Sequence, residues 1–297
     1  MPNLRLATGL LWSIRILVGC MPFVGAGVGA PLETRSTAIQ IVGTVLAWLV
    51  WGLIVLASFI SHPISLTVLR MGTPVVAGFL VFIAATDQGS TLQIINAAIS
   101  FAVLLLSFSA EIGSIYIQAS AYGDERRFLL RPPVAFVAPV AISVVIVNFF
   151  IIATPMFFAA RIWLAGVISL IGLAACIKFM APRIHQLSRR WLVFVPAGFV
   201  VHDEIVLSIN LMIKKQELVD IQLARDDTQA ADLSALTWGV PLELSFNKTL
   251  DVSLTAIGAR HLKAVSAIHA TSIIIAPSRP GAVLRALSRK FANQEFL

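Results

Sequence analysis

Long apolar runs are the feature that most limits what this chain can fold into. A helix needs about 20 mostly apolar residues to cross the hydrocarbon core of a bilayer. Six segments meet that requirement: Ala7–Gly29, Thr37–Ile60, Pro63–Ala85, Leu92–Ala110, Pro133–Phe158 and Ile162–Ala181. The fourth has the composition to continue as helix to Ser120. The sequence therefore predicts an α-helical multi-pass membrane bundle of about six spans.

The overall composition agrees with a chain that is partly covered by lipid. Hydrophobic residues make up 58% of the sequence and charged residues only 12%. A soluble globular protein carries about 25% charged residues. We therefore expect the lipid bilayer to be the first partner of this protein.

Charge divides the chain into two parts. Through Arg190 there are 12 Lys and Arg against five Asp and Glu, whereas from Trp191 onward there are ten of each. The net charge of +7 therefore belongs to the apolar part, and the high pI predicts no nucleic-acid partner. We expect a transmembrane helical domain at 1–187 and a water-soluble, cytoplasmic domain at 188–297.

Loop charge predicts the orientation in the membrane. Three arginines lie between the fourth and fifth segments, and the stretch Lys178–Arg190 after the sixth is also basic. Basic loops stay cytoplasmic. Six spans then place both termini in the cytoplasm and the protein in a cell (inner or plasma) membrane. We expect no cleavable signal peptide. If Ala7–Gly29 is interfacial or re-entrant, five spans remain and the N-terminus lies outside.

After Trp191 the hydrophobic period changes from helical to alternating. Trp191–Val201 reads as a strand, a Pro-Ala-Gly turn and a second strand. Further strands are expected at 218–223 and 270–276, and a hairpin at 240–255 around Asn247-Lys248. The polar stretch Arg225–Ser234 is expected to be a loop.

A closing helix is expected at the C-terminal end. Ser278 can cap it and Pro280 suits its first turn. Its apolar face would comprise Val283, Leu284, Leu287 and Phe291. The predicted fold class is thus a membrane bundle plus a small β-rich (α+β) domain with a closing C-terminal helix.

This order of elements resembles the bacterial pleckstrin-homology-like domains that follow membrane helices. The resemblance rests on the opening hairpin at 191–201, the run Ile-Lys-Lys-Gln-Glu-Leu-Val-Asp-Ile at 213–221, and the ending Ser-Ile-Ile-Ile-Ala-Pro-Ser-Arg-Pro at 272–280. The first turn, at 196–198, lacks the basic residue that would grip a phosphoinositide. The resemblance therefore implies a scaffold or interaction role more than headgroup recognition.

Three ionisable residues lie within or at the end of apolar segments. Arg15 and Arg70 are candidates for function, because a charge at membrane depth costs about 2.5 kcal/mol or more. Alternatively, their long side chains reach the headgroups. Glu111 could pair with either arginine or simply mark the end of its helix.

The stretch Tyr122–Pro133 is the most informative loop. Its residues Arg126, Arg127 and Arg131 either determine topology or dock the loop on the C-terminal domain or on anionic lipid at the cytoplasmic face.

The remaining motifs favour structural roles. Gly25–Gly29 suggests a close helix contact more than a dinucleotide loop. Cys20 and Cys176 are expected to be buried apolar residues, and His202-Asp203-Glu204 to be solvated turn residues. We expect no cofactor, no metal and no catalytic residue.

The sequence thus favours a non-enzymatic bacterial-type membrane protein whose cytoplasmic domain binds a protein partner. A small-solute transporter or channel is the first alternative, and a membrane-embedded enzyme is the second.

Overall fold

The computed structural model describes residues 2–24, 29–86 and 90–292. The chain forms two compact units. The first, the helical unit, comprises the chain up to Tyr116 together with Val140–His185. The second, the β unit, comprises Ile117–Pro139 and the chain from Gln186 onward.

Helices make up the apolar part of the chain. In chain order they are α1 (Pro2–Val24), α2 (Ala30–Glu33), α3 (Thr37–Phe59), α4 (Pro63–Thr86), α5 (Thr91–Phe108), α6 (Ala110–Gln118), α7 (Val134–Ala159), α8 (Trp163–Ala175) and α9 (Ala181–Leu187). A π-helical turn, Cys176–Met180, joins α8 to α9, so the three pieces form one continuous rod.

Five helices of the described ranges are long and apolar enough to cross a membrane: α3, α4, α5, α7 and the rod Trp163–Leu187. This is the pattern of a multi-pass membrane protein. The first of the six expected spans is not among them. Its described apolar helical stretch, Ala7–Phe23 of α1, is shorter than a span, and residues 25–28 lie outside the described ranges.

The fourth expected segment does not run as one helix to Ser120. Ser109 is extended (φ −63°, ψ 147°) and separates α5 from α6. Its hydroxyl accepts a hydrogen bond from the Ile112 amide, 3.3 Å away, and so satisfies one of the free donors at the start of α6.

Polar side chains bind backbone carbonyls between the helices of the helical unit. The Trp51 indole donates to the Val18 carbonyl at 2.9 Å, and the Asn148 amide donates to the Met71 carbonyl at 3.0 Å. Such bonds stabilise helix contacts where apolar burial gives little drive for association.

The β unit contains two four-stranded sheets. In chain order the strands are β1 (Arg126–Leu129), β2 (Trp191–Val195), β3 (Gly198–His202), β4 (Leu211–Lys214), β5 (Leu218–Leu223), β6 (Ala231–Asp232), β7 (Leu242–Ser253) and β8 (Ala267–Ile275). The first sheet has the order β1-β2-β3-β4 and the second β5-β7-β8-β6. A short helix, α10 (Ala256–His261), precedes β8, and α11 (Pro280–Ala292) follows it.

The expected opening hairpin is confirmed. Strand β2 pairs antiparallel with β3, from Trp191 opposite His202 to Val195 opposite Gly198. Gly198 is required for close approach, because a Cβ there would collide with the Ile213 carbonyl oxygen of β4. The strand expected at 218–223 is also present, whereas the expected loop at 225–234 contains the short strand β6.

The expected hairpin around Asn247-Lys248 is wrong. Both of its halves belong to the single strand β7, which pairs with β8 along its whole length except for a bulge between Ser245 and Leu250. The bulge residues bind the short helical turn at 215–217. Asn247 donates to the Gln216 carbonyl at 2.7 Å, and the Lys248 ammonium lies 2.9 Å from Glu217. The Lys248 ammonium and the Lys214 amide lower the pKa of the Glu217 carboxyl.

The segment at 126–131 joins the two sheets. Strand β1 pairs antiparallel with β2. Just beyond it, the Arg131 amide donates to the Ala276 carbonyl at 2.8 Å, and the Ser278 amide donates to the Leu129 carbonyl at 2.7 Å. The same few residues therefore bond to the first sheet on one side and to the end of β8 on the other.

One hydrophobic core lies between the sheets. Side chains from both sheets and from α11 form it, including Leu130, Phe194, Ile273 and Leu287. Leu130 comes from the segment between two membrane helices, so residues far apart in the sequence share this core.

The closing helix is present, but Ser278 does not cap it. Helix α11 begins at Pro280, and the buried Ser278 hydroxyl makes no hydrogen bond with the described residues. Of the predicted apolar face, Val283 and Leu287 are buried and Leu284 packs against the core. The side chain of Phe291 lies outside the described residues, as do residues 25–28 of the expected helix contact at Gly25–Gly29.

We expect the β unit to fold as a soluble domain only when β1 is included. Because β1 and β2 are antiparallel neighbours, a Gly-Ser linker of about four residues can replace the chain between Arg131 and Arg189. The fusion 117–131–linker–189–297 should unfold cooperatively in urea. The fragment 188–297 lacks β1 and should show a broad or absent transition by circular dichroism.

The matched control is the same fusion with Leu130→Asp, which places a carboxylate in the core and should behave like the fragment. Cooperative unfolding of the fragment with the same midpoint as the fusion would contradict a structural requirement for β1.

Candidate interaction site

The inter-span segment, residues 122–133, forms part of the β unit. We consider it the candidate interaction site, because it carries all three arginines singled out in the sequence. Its main chain pairs with β2 as strand β1, with Arg126 opposite Phe194 and Leu129 opposite Trp191. The structure thus brings this segment onto the C-terminal strands through backbone hydrogen bonds.

A buried ion pair lies where the inter-span segment meets β2 and β3. The Arg190 Nε donates to Asp203 Oδ1 at 2.9 Å, and its Nη2 donates to Oδ2 at 2.6 Å. Each side chain is only 1% exposed. The third guanidinium nitrogen, Nη1, donates to the Arg131 carbonyl at 2.7 Å. The bidentate pairing of Arg190 with Asp203 is the geometry that best offsets the free-energy cost of burying a guanidinium and a carboxylate.

Asp203 is further satisfied by its own turn. Its Oδ1 accepts from the amides of Ile205 at 3.0 Å and Val206 at 3.4 Å. The carboxylate therefore fixes both Arg190 and the chain that leaves β3.

These contacts correct two expectations. Asp203 is buried rather than a solvated turn residue, and Arg190 is buried rather than a free loop charge. The sequence gives no signal for the pair, since both residues stand beside other charged residues, Arg189 and Glu204, that do face water in part.

Arg127 lies in a row of stacked groups on the outer side of the first sheet. Its guanidinium bonds Glu125 at 2.9 Å and lies 5.4 Å from the centre of the Trp191 ring. Trp191 in turn stacks on His202, with ring centroids 4.8 Å apart. The hydrogen bond from Arg127, helped by one from the Tyr122 amide, holds the pKa of the Glu125 carboxyl below its usual range.

The other two arginines have different surroundings. Arg126 is exposed. Arg131 donates from Nη1 to the Trp238 carbonyl at 2.8 Å. Among the three, Arg126 therefore presents its charge most openly to water.

No protein-family model, curated protein or solved structure matches this chain. The role of the site is therefore inferred from its own contacts.

Arg15 and Arg70 each bind the carbonyl end of a neighbouring membrane helix. The Arg15 Nε donates to the Ser58 carbonyl at 3.1 Å, near the end of α3. The Arg70 Nε donates to the Ser107 carbonyl at 3.1 Å, near the end of α5. The last carbonyls of a helix have no partner within it and carry partial negative charge, so a guanidinium there stabilises the helix end.

This placement gives both arginines a structural reason to occupy apolar segments. The Tyr116 hydroxyl reinforces the end of α3 by donating to the Ala57 carbonyl at 2.8 Å. Glu111 lies half-buried in the first turn of α6; its pairing with either arginine stays a prediction.

A row of polar residues is buried along α5: Gln93, Asn96, Ser100 and Ser107. Ser107 bonds Thr73 of α4 at 3.0 Å, and Ser100 bonds its own helix at the Ala97 carbonyl. The gap beside Ser100 and Thr73 is too small to hold even a water molecule. Small-molecule sites occupy about 300–1,000 Å³, so the row fits helix packing better than substrate binding.

The histidines of the β unit have separate partners. His202 bonds Asn210 at 2.7 Å, His261 bonds Asp232 at 3.0 Å, and His269 bonds Asp251. Within the described ranges, no group of three or more His, Cys, Asp or Glu could hold a metal ion.

Removing one partner of the buried pair should be strongly destabilising. Arg190→Ala leaves the Asp203 carboxylate buried without its counter-charge, which costs about 3–5 kcal/mol. We expect a large fall in the urea midpoint of the β unit, followed in the detergent-solubilised protein by tryptophan fluorescence and limited trypsin digestion.

The neighbouring residue supplies the control. Arg189 also pairs with a carboxylate, Glu204, but both side chains are about a third exposed. Arg189→Ala should therefore cost about 1 kcal/mol or less. Equal effects of the two substitutions would show that burial of the Arg190 pair is not what matters.

Proposed function

We propose that this protein is a non-enzymatic membrane scaffold whose cytoplasmic β unit binds a protein partner and is coupled to the membrane through the inter-span segment. The observation that carries the proposal is the position of two strands of the first sheet in the sequence, next to membrane helices. Its strand β1 directly precedes the membrane helix α7, and its strand β2 directly follows the rod Trp163–Leu187.

The order of strands supports a pleckstrin-homology-like module. Strands β1 to β4 form one antiparallel sheet, β5, β7 and β8 are antiparallel neighbours in the other, and α11 closes the core. In this proposal the module is interrupted after its first strand by a membrane hairpin. That interruption is what a free-standing soluble module would lack.

Coupling to the membrane follows from this connectivity. A shift of either end of the hairpin would be transmitted along the main chain to β1 or β2. The buried pair of Arg190 and Asp203 holds these strands together, with the Arg131 carbonyl as a third point. A partner on the β unit and an event in the membrane could thus influence each other without a separate linker.

The distribution of ionisable groups supports a non-catalytic role. The carboxylates of Glu125, Asp203 and Glu217 bind a cation or backbone amides at three different places in the β unit. Catalytic carboxylates, in contrast, converge with other titratable groups around a cleft.

Contacts of α1 and α2 with α3 support six membrane crossings. Arg15 lies at the end of α3 near Ser58, whereas Leu32 of α2 lies against Gly43, closer to the start of α3. From Gly43 to Phe59 a helix rises by roughly 24 Å, most of the thickness of a hydrocarbon core. In this proposal α1 and α2 together make the first crossing. Both termini then lie in the cytoplasm, and the protein lies in a cell membrane.

Cysteine labelling tests whether the β unit lies in the cytoplasm. Single cysteines at Arg161, between α7 and α8, and at Asp227, which is 74% exposed, should react from opposite sides of the membrane. The natural Cys20 and Cys176 are first replaced by alanine. In intact cells an impermeant maleimide should label Arg161→Cys but not Asp227→Cys until the cells are opened. Labelling of both from outside would contradict a cytoplasmic β unit.

Photo-crosslinking in cells tests the scaffold role. A photoreactive phenylalanine derivative is placed at Val219 and Leu223, exposed on β5, or at Asp227 as a control in a polar loop. We expect one discrete adduct of the same mass from both β5 positions and none from the control. If a scan over the exposed residues of the β unit yields no discrete adduct, the scaffold proposal is wrong.

A further inference from the structure

The loop at 235–240 of the β unit has an unusual backbone. Ala235 and Leu236 both have positive φ, 56° and 59°, although neither is glycine, and Gly239 has φ 81°. Left-handed conformations are unfavourable for residues with a Cβ and persist only where the surroundings impose them. Here the Asp232 carboxylate accepts from the amides of Ser234 at 2.9 Å and Leu236 at 3.3 Å.

The loop is also bonded to the start of a membrane helix. The Leu236 carbonyl accepts from the Val134 amide at 3.0 Å, and Val134 is the first residue of α7. Two residues on, the Trp238 carbonyl accepts from Arg131, whose guanidinium lies directly against Gly239. These bonds hold the loop beside the first residue of α7.

Large apolar side chains of the loop face outward. Leu236 is 66% exposed, Trp238 51% and Val240 50%. Val134 and Val137 in the first turns of α7 are exposed as well, at 49% and 43%. Scattered apolar residues are ordinary on a protein surface, but a group of this size marks a contact with a partner or a membrane.

We propose that residues 235–240 form an interfacial anchor that inserts Leu236, Trp238 and Val240 into the boundary between lipid headgroups and acyl chains beside α7. The occupant is the bilayer, because the loop is hydrogen-bonded to the first residue of a helix that enters it. Tryptophan is enriched at this depth, where its apolar ring and its N–H are both accommodated. In this arrangement the Arg131 guanidinium lies at the depth of the lipid headgroups.

The anchor goes beyond the proposed scaffold function and does not depend on a protein partner. It would give the β unit a second attachment to the membrane, from a part of the chain that follows all of the membrane helices.

The test uses full-length protein in nanodiscs of neutral phosphatidylcholine. Cys20 and Cys176 are replaced by alanine, and an environment-sensitive fluorophore is attached at Leu236→Cys or, in a second variant, at Val240→Cys. The matched control is Val265→Cys, a 90% exposed apolar position of the same unit in the connection before β8. Each sample is quenched with aqueous iodide and, separately, with lipid that carries a nitroxide near the top of its acyl chain.

We expect the lipid nitroxide to quench the Leu236 and Val240 probes at least twofold more than the Val265 probe, and iodide to do the reverse. Quenching of all three probes by iodide alone would show that the loop lies in water and would overturn the proposal. Protection from both quenchers would show that protein covers the loop, and would also overturn it. Retention of lipid quenching when Arg131→Gln is added would confirm that apolar insertion, not headgroup charge, holds the loop.

Discussion

The buried pair of Arg190 and Asp203 is the interaction on which the rest of the β unit depends. It buries a guanidinium and a carboxylate, each only 1% exposed, where the inter-span segment meets β2 and β3. Charges so placed are tolerated only when every donor and acceptor finds a partner. The guanidinium meets that requirement by also binding the Arg131 carbonyl, and the carboxylate does so by binding the turn after β3. Three separate pieces of the chain therefore meet at one point.

The β unit is discontinuous in sequence, because helices α7 to α9 stand between its strands β1 and β2. Strand β1 alone, four residues long, would be too short to hold a sheet in place. It is kept by bonds on both of its sides, to β2 and to the end of β8, and by the burial of Leu130. In the helical unit, two arginines likewise bind backbone carbonyls. Arg15 and Arg70 bind the carbonyl ends of α3 and α5, where a helix is least satisfied.

Local pattern explains which predictions were confirmed. The long runs of apolar residues indicated α3, α4, α5, α7 and the rod Trp163–Leu187. Two short apolar runs around a Pro-Ala-Gly turn indicated β2 and β3, and alternation indicated β5. The hairpin expected around Asn247-Lys248 was wrong, because two turn-forming residues look the same in a hairpin and in a bulge. The difference is decided by Gln216 and Glu217, which bind the bulge from elsewhere in the chain. The segment Ala7–Gly29 has the composition of a span, but the described apolar helix within it covers only Ala7–Phe23.

The sequence by itself determined that the chain has membrane helices followed by a β-rich region with a closing helix, because hydrophobic period and composition are local properties. It also pointed to the inter-span segment through its three arginines. Only the tertiary structure decided what that segment does. Arg126, Arg127 and Arg131 all look like topology charges, yet the first two belong to a strand of the β unit, and the amide of Arg131 bonds the Ala276 carbonyl just after β8. Arg189 and Arg190 are adjacent and chemically identical, but one faces water while the other is buried against Asp203. The partner of a charge can lie far away in the sequence: Arg190 bonds Arg131, 59 positions away, and Arg131 bonds Trp238, 107 positions away. No local pattern records such a contact, because it forms only when the sheets close around their common core.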